Sequence, residues 1–435
     1  MTQSTLAFRA SVFHFTNKPT DDYRNGYAFF EDGLLVVENG FVKQLGSYTE
    51  TYKTLDPGIP VHDHSGKLIM PGFIDTHIHY PQTDIIASHG KQLIDWLYDY
   101  TYPAEMKFKD ISHAGLTARF FIEELLRNGT TSALVLPTVH EQSVHAVFTA
   151  AEARNLRLVS GKVMMDRNAP PELLDTAEQS YRDAKALIDT WHNRNRLSYA
   201  ITPRFALTST EQQLEAASCL MEENQGLLFH THLSENKKEV QLISRAFPLS
   251  RSYLDVYHHF GLTGERSSFA HCIHLDDHDY HLLKETRSSV ALCPTSNLFL
   301  GSGLFDLGKI EPLSIKTALG TDVGAGTSFS LFKTMAEAYK VCQLMGFNLS
   351  VFLAYYMASL GGAEILGLDK KIGNFEKGKE ADFIVINPER IPVLKRRIEN
   401  SKNLEEMLFA LMILGDDRIV ENSYIMGEKQ VISNC

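Results

Sequence analysis

A chain of 435 residues, 44% hydrophobic and 22% charged, has the composition of an ordinary folded protein, and its length suits one large α/β domain with an appendage. The formal net charge of −11 argues against a nucleic-acid surface or a basic membrane patch. The five cysteines (Cys219, Cys272, Cys293, Cys342 and Cys435) are odd in number and include no CxxC pair, so they fit reduced thiols in a cytoplasm and leave any metal to histidines and carboxylates.

Residues 1–16 lack the basic start, the apolar core and the small-residue cleavage site of a secretory leader. The first elements read as β-hairpins. Residues 34–38 and 41–45 flank Asn39-Gly40, a dipeptide that supplies the two positive φ angles of a type I′ turn. A weaker signal of the same kind closes the chain, where residues 423–426 and 429–432 flank Gly427-Glu428. Neither β-rich end can bury a face alone, so the two are expected to share one small sheet. The expected division is 1–68 for the first part of that β domain, 69–375 for the central region and 376–435 for the return.

Between the ends, eight short β-type runs alternate with helical stretches: residues 68–75, 131–136, 157–163, 197–202, 227–232, 268–272, 289–293 and 315–320. The spacing of Leu116, Phe120, Phe121 and Leu125, and of Val144, Val147, Phe148 and Ala151, predicts amphipathic helices. This order points to an α/β fold, a (β/α)₈ TIM-type barrel with a small β-sheet domain built from both chain ends, although a doubly wound sheet gives a similar string. The longest apolar run, residues 407–414, is too short to span a bilayer.

In such a barrel, catalytic groups sit where strands end. The first run leads into His77-Ile78-His79. Residues two apart on an extended segment project to the same side, so both imidazoles can reach one ion. The fifth run ends His230-Thr231-His232 and is followed by Leu233-Ser234-Glu235; the sixth reaches His271, and the eighth Thr321-Asp322. Neutral nitrogens with a carboxylate suit zinc or ferrous iron. Taken singly, each has an ordinary alternative, such as Asp322 capping a helix. Their joint occurrence at four strand ends favours a shared ion.

These residues resemble the amidohydrolase superfamily, whose pattern is a His-x-His after strand one, histidines after strands five and six, and an aspartate after strand eight. Residues 373–383 are similar to that family's return from barrel to small β domain. More narrowly, residues 71–82, Pro203-Arg204-Phe205, residues 230–235 and residues 320–326 resemble the guanine deaminases within it. The resemblance implies one zinc per chain, held by His77, His79, His232 and Asp322, with His271 positioning a metal-bound hydroxide. Strand four leads to Thr202-Pro203-Arg204-Phe205 and lacks the lysine that binuclear relatives carboxylate, which favours a single metal.

The implied reaction is hydrolytic attack at guanine C2, giving xanthine and ammonia in purine catabolism, with Glu235 and Asp322 as proton carriers. The implied substrate contacts are Gln82, Arg204 and Phe205, with Trp96 and His230 as further candidates. Arg204 carries donors only, which suits guanine's O6 carbonyl, and Gln82 can read an edge that alternates donor and acceptor. The implied partner is a small-molecule purine, with no nucleic acid or membrane, in a cytoplasmic homodimer. A deaminase or dechlorinase for another flat heterocycle stays open. So does a barrel kept as an assembly partner, although the complete ligand set and Glu235 argue against lost catalysis.

Overall fold

The computed structural model describes residues 5–20, 24–90 and 92–432; expectations touching residues 1–4 and Cys435 lie outside these. The chain opens with β1 (Thr5–Phe15), β2 (Tyr27–Glu38), β3 (Phe41–Ser47) and β4 (Val61–Pro71). β2 and β3 form the expected hairpin: Glu38 faces Phe41, and Asn39 and Gly40 take φ of 53° and 87°.

β4 passes into β5 (Phe73–His79) with only Gly72 between them. The run expected at 68–75 therefore serves two sheets. Gly72 is the joint, because a Cβ there would lie 2.1 Å from Thr131 Oγ1 and no side chain fits. The chain continues through β6 (Thr130–Leu136), β7 (Arg157–Ser160), the two-residue β8 (Val163–Met164), β9 (Leu197–Pro203), β10 (Leu228–Leu233), β11 (Ser267–His271), β12 (Ser289–Leu292) and β13 (Thr317–Leu319). Apart from β8, which only flanks β9, β5 to β13 lie side by side in chain order, and every pair is parallel. β13 closes against β5 through Thr76 Oγ1, which donates to Leu319 O (3.0 Å), and Asp322 N, which donates to His77 O (2.8 Å). This is the (β/α)₈ barrel.

The helix Glu141–Ala153 buries Val144, Val147, Phe148 and Ala151 as expected. The helix Ile111–Arg127 does not follow its expected stripe. It buries Ala114, Ala118, Phe121, Ile122 and Leu125 but leaves Leu116 63% and Phe120 46% exposed. Phe120 and Phe121 stand about 100° apart on a helix, and only one of them can face the barrel.

The return supplies β14 (Phe383–Ile386), β15 (Val420–Ile425) and β16 (Glu428–Lys429), and the small sheet has the order β16-β15-β14-β4-β1-β2-β3. Both chain ends thus share it. The closing turn is Met426-Gly427, with φ of 51° and 73° and Ile425 facing Glu428, one residue earlier than expected. Gly427 takes the second of the two positive φ positions, not the first.

Glu380 and Asp382, just ahead of β14, tie this return to the barrel. Arg196 donates from Nε and Nη2 to Glu380 Oε2 (3.1 and 2.8 Å), from Nη2 to Asp382 and from Nη1 to Asn155 O (2.7 Å). Arg157 adds a bond from Nε to Glu380 Oε2 (2.9 Å). Arg157 and Arg196 lie at the starts of β7 and β9, the end opposite the catalytic mouth, and both are buried. Removing one member of such a cluster strands buried charge. Arg196→Met is therefore expected to cost roughly 3–5 kcal/mol, seen as a melting temperature several degrees lower in scanning calorimetry. An unchanged melting temperature would mean the cluster does not hold the return in place.

Candidate active site

The C-terminal ends of β5, β10 and β11 and the turn after β13 bring His77, His79, His232, Glu235, His271 and Asp322 together. Asp322 Oδ1 lies 3.3 Å from both His77 Nε2 and His79 Nε2, and His79 Nε2 lies 3.2 Å from His232 Nε2. Ser234, His271 and Asp322 have φ of 51°, 71° and 52°, so the chain turns left-handed at three strand ends that deliver side chains to this point. Asp75 steadies the last turn: it accepts from Thr321 N (3.1 Å), Thr321 Oγ1 (2.5 Å) and His77 N (3.1 Å).

The outer hydrogen bonds show which atoms face inward. His232 Nδ1 donates to Arg204 O (2.6 Å), which leaves a lone pair on its Nε2. His77 Nδ1 meets His230 Nε2 at 2.8 Å, and with Nδ1 donating, His77 Nε2 is likewise a lone pair; it has no hydrogen-bond partner. Burial holds His77 down at about 4 and puts His79 and His232 below the ordinary histidine range. Neutral imidazoles are the form that binds a metal. Burial raises Asp322, and hydrogen bonds donated by His77 and His79 bring it below the usual carboxylate range; with lone pairs on those nitrogens, a cation would have to take over that role.

Lone pairs crowded against a carboxylate repel unless a cation lies among them. A tetrahedral zinc with bonds of ~2.0–2.1 Å sets neighbouring ligand atoms roughly 3.3–3.4 Å apart; His77–Asp322 and His79–Asp322 are 3.3 Å and His79–His232 is 3.2 Å. The residues fit the ion.

Beside this set, His271 Nε2 lies 3.5 Å from Glu235 Oε2 and 3.8 Å from Asp322 Oδ2, while His271 Nδ1 donates to Asn297 Oδ1 (2.9 Å). Burial pushes the Glu235 carboxyl up to about 7, opposed by neighbouring His271. Ser302 Oγ donates to Glu235 Oε1 (3.2 Å), and Glu239 Oε2 accepts from the Glu235 backbone N (3.0 Å). Asn297, Ser302 and Glu239 had no signal in the sequence beyond their polarity.

A cavity opens onto these groups, and Gln82, Trp96, Arg204 and Phe205 all line it. His230 is not among the lining residues; it is fully buried and bonded to His77, behind a metal-ligand candidate. Gln82 is not free to turn: its Oε1 accepts from Gly324 N and its Nε2 donates to Glu105 Oε1, both at 3.3 Å. Glu105, which no motif marked, also accepts from Arg204 Nη1 at both carboxylate oxygens (2.8 Å each).

A sequence model of the amidohydrolase family matches residues 68–429. The chain belongs to this family. It is 50% identical to the guanine deaminase of Escherichia coli (strain K12) over 94% of this chain and 93% of that one. The solved structure of E. coli guanine deaminase matches with a TM-score of 0.96 and 49% identity, covering 99% of this chain and 100% of that one. A guanine deaminase from C. acetobutylicum, solved with guanine in its active site, matches with a TM-score of 0.90 and 30% identity over 98% and 100%. The resemblance to guanine deaminases thus extends over nearly the whole chain. Among the described residues, no helix is long and apolar enough to cross a membrane.

His230 gives a test of the ligand set. Groups that fix the tautomer of a metal-binding histidine typically contribute about 10–100-fold to affinity. His230→Ala is expected to weaken zinc binding by that factor in competition with a chromophoric chelator. Native affinity in the variant would remove His230 from the support of His77.

Proposed function

We propose that the protein is a zinc-dependent guanine deaminase, converting guanine and water to xanthine and ammonia. The observation that carries this reading is one cavity walled on one side by His79, His232 and Asp322, with His77 buried behind them 3.3 Å from Asp322, and on another by Arg204, Gln82 and Phe205. The near-complete likeness to guanine deaminases supports the choice of ring.

Zinc held by these four residues would supply a water with its pKa lowered to ~7, able to add to an electron-poor ring carbon. The chain's own groups do the rest. Phe205 walls the planar base. The Arg204 N–H groups not used by Glu105 suit the O6 carbonyl, where adenine would set an amine against them. With the 2-amino group turned toward the histidines, Glu235 can protonate ring N3, so that the ring does not carry the negative charge of the adduct. Glu235 and Asp322 then move the protons that let the amine leave as neutral ammonia. His271, bonded to Asn297 and next to both carboxylates, holds its Nε2 toward the attacking water.

The test is ammonia release by the purified zinc-loaded protein, compared over guanine, adenine, cytosine and 8-oxoguanine, with xanthine as the product from guanine. Guanine should be preferred; a preference for cytosine or 8-oxoguanine would leave only a metal-dependent deaminase. Glu235→Gln keeps shape but not the proton, so turnover should fall by about 10²–10⁴-fold while zinc and guanine still bind. Near-normal turnover in that variant would assign the proton work to Asp322.

A further inference from the structure

Arg204 is buried, and a guanidinium out of water needs a counter-charge. Glu105 supplies it in an unusual way. One nitrogen, Nη1, serves both carboxylate oxygens at 2.8 Å, and among the described residues no acceptor meets Nε or Nη2. Of the five N–H groups of an arginine, those on Nε and Nη2 remain for the cavity that Arg204 lines. The same carboxylate holds the Gln82 Nε2 at 3.3 Å while Gly324 N holds the Gln82 oxygen at 3.3 Å. Gln82 therefore presents its amide in one sense only, with one N–H and one lone pair left over. Glu105 itself is fully buried and does not line the cavity.

We infer that Glu105 is a positioning residue that sets the pattern of donors and acceptors shown to the ring edge, acting through both Arg204 and Gln82. This rests on the guanine deaminase reading above. The logic is one of counting. Glu105 offers acceptors only, so it satisfies Arg204 and Gln82 at once. An amide at this position has one acceptor and one donor. With its oxygen toward Gln82, its NH₂ opposes the Arg204 guanidinium. With its oxygen turned away, its NH₂ opposes the Gln82 NH₂, and turning Gln82 sets that NH₂ against the Gly324 N–H. No arrangement satisfies every group, so the edge pattern is lost whichever way the side chains settle. Glu105 also makes the recognition pair neutral, which suits an uncharged base.

The experiment compares guanine with 2-aminopurine, the same ring without the 6-oxo group, in the native enzyme, Glu105→Gln, Glu105→Asp and the doubly neutral Glu105→Gln/Arg204→Gln. Glu105→Gln is expected to lower kcat/KM for guanine by about 10–100-fold and for 2-aminopurine by less than about threefold. Glu105→Asp should recover part of the difference, since it keeps the acceptors and the charge. An equal fall for both bases would reduce Glu105 to a structural part and overturn the inference. If Glu105→Gln fails to fold, the double variant removes both charges together, and an undiminished preference for guanine there overturns it equally. Binding to the metal-free proteins, read by 2-aminopurine fluorescence with guanine as competitor, separates the two readings. Absent turnover in the native enzyme defeats the deaminase reading, whereas a binding preference that survives Glu105→Gln defeats this one.

Discussion

At the barrel mouth Asp322 Oδ1 lies 3.3 Å from His77 Nε2 and His79 Nε2, and His79 Nε2 lies 3.2 Å from His232 Nε2, a crowding of buried donor atoms that a shared cation would relieve. Much of the surrounding structure is arranged to keep them there. His77 is held from behind by His230, and His232 by the Arg204 carbonyl. Asp322 is placed by a turn that Asp75 grips through Thr321. These holds lie at or just past strand ends: His232 is still paired with Ala270, whereas Asp322 lies beyond β13. A barrel converges several strands on one axis, so each contributes one well-aimed group.

Arg204 links the candidate ion set to the cavity wall within a single residue. Its carbonyl fixes the His232 tautomer, and its guanidinium faces the cavity. A shift of β9 would therefore disturb the candidate ligand His232 and the proposed ring contact together. Glu105 approaches from the segment between β5 and the helix Ile111–Arg127, a chain of short turns that also brings Leu93, Trp96 and Leu97 to the cavity wall. The wall and the counter-charge arrive on one covering segment.

The clustering of the candidate donor set was legible in the sequence because part of its signal is local: His-x-His on an extended segment puts two nitrogens on one side whatever else the fold does. The strand alternation was legible for a similar reason, and so was Asn39-Gly40, whose φ signs are nearly a property of the dipeptide. What escaped depends on distant parts of the chain. Nothing in Tyr102-Pro103-Ala104-Glu105 distinguishes its carboxylate, since its partners lie at Gln82 and Arg204. The run 68–75 looks like one strand because a strand crossing between sheets keeps the same pattern; the joint shows only through the space Thr131 denies to a side chain at Gly72. His230 reads as a second cavity histidine from its place beside His232. Alternation puts both on the same side, and what separates them is depth, which sequence does not reveal: His230 is bonded to His77 and does not line the cavity.

The position of the ion set also bears on how the barrel is closed. Seven of the eight strand junctions are parallel ladders, whereas β13 meets β5 through Thr76 Oγ1 to Leu319 O and Asp322 N to His77 O. The candidate ligands His77 and His79 lie on one side of that seam and Asp322 on the other. An ion shared by them would bridge the least laddered junction of the barrel, and without a cation the repulsion among lone pairs and carboxylate acts at that same place. Stability and chemistry therefore meet at the seam, while the Arg196 cluster secures the small sheet at the barrel's far end, where strand geometry can serve stability without touching the mouth.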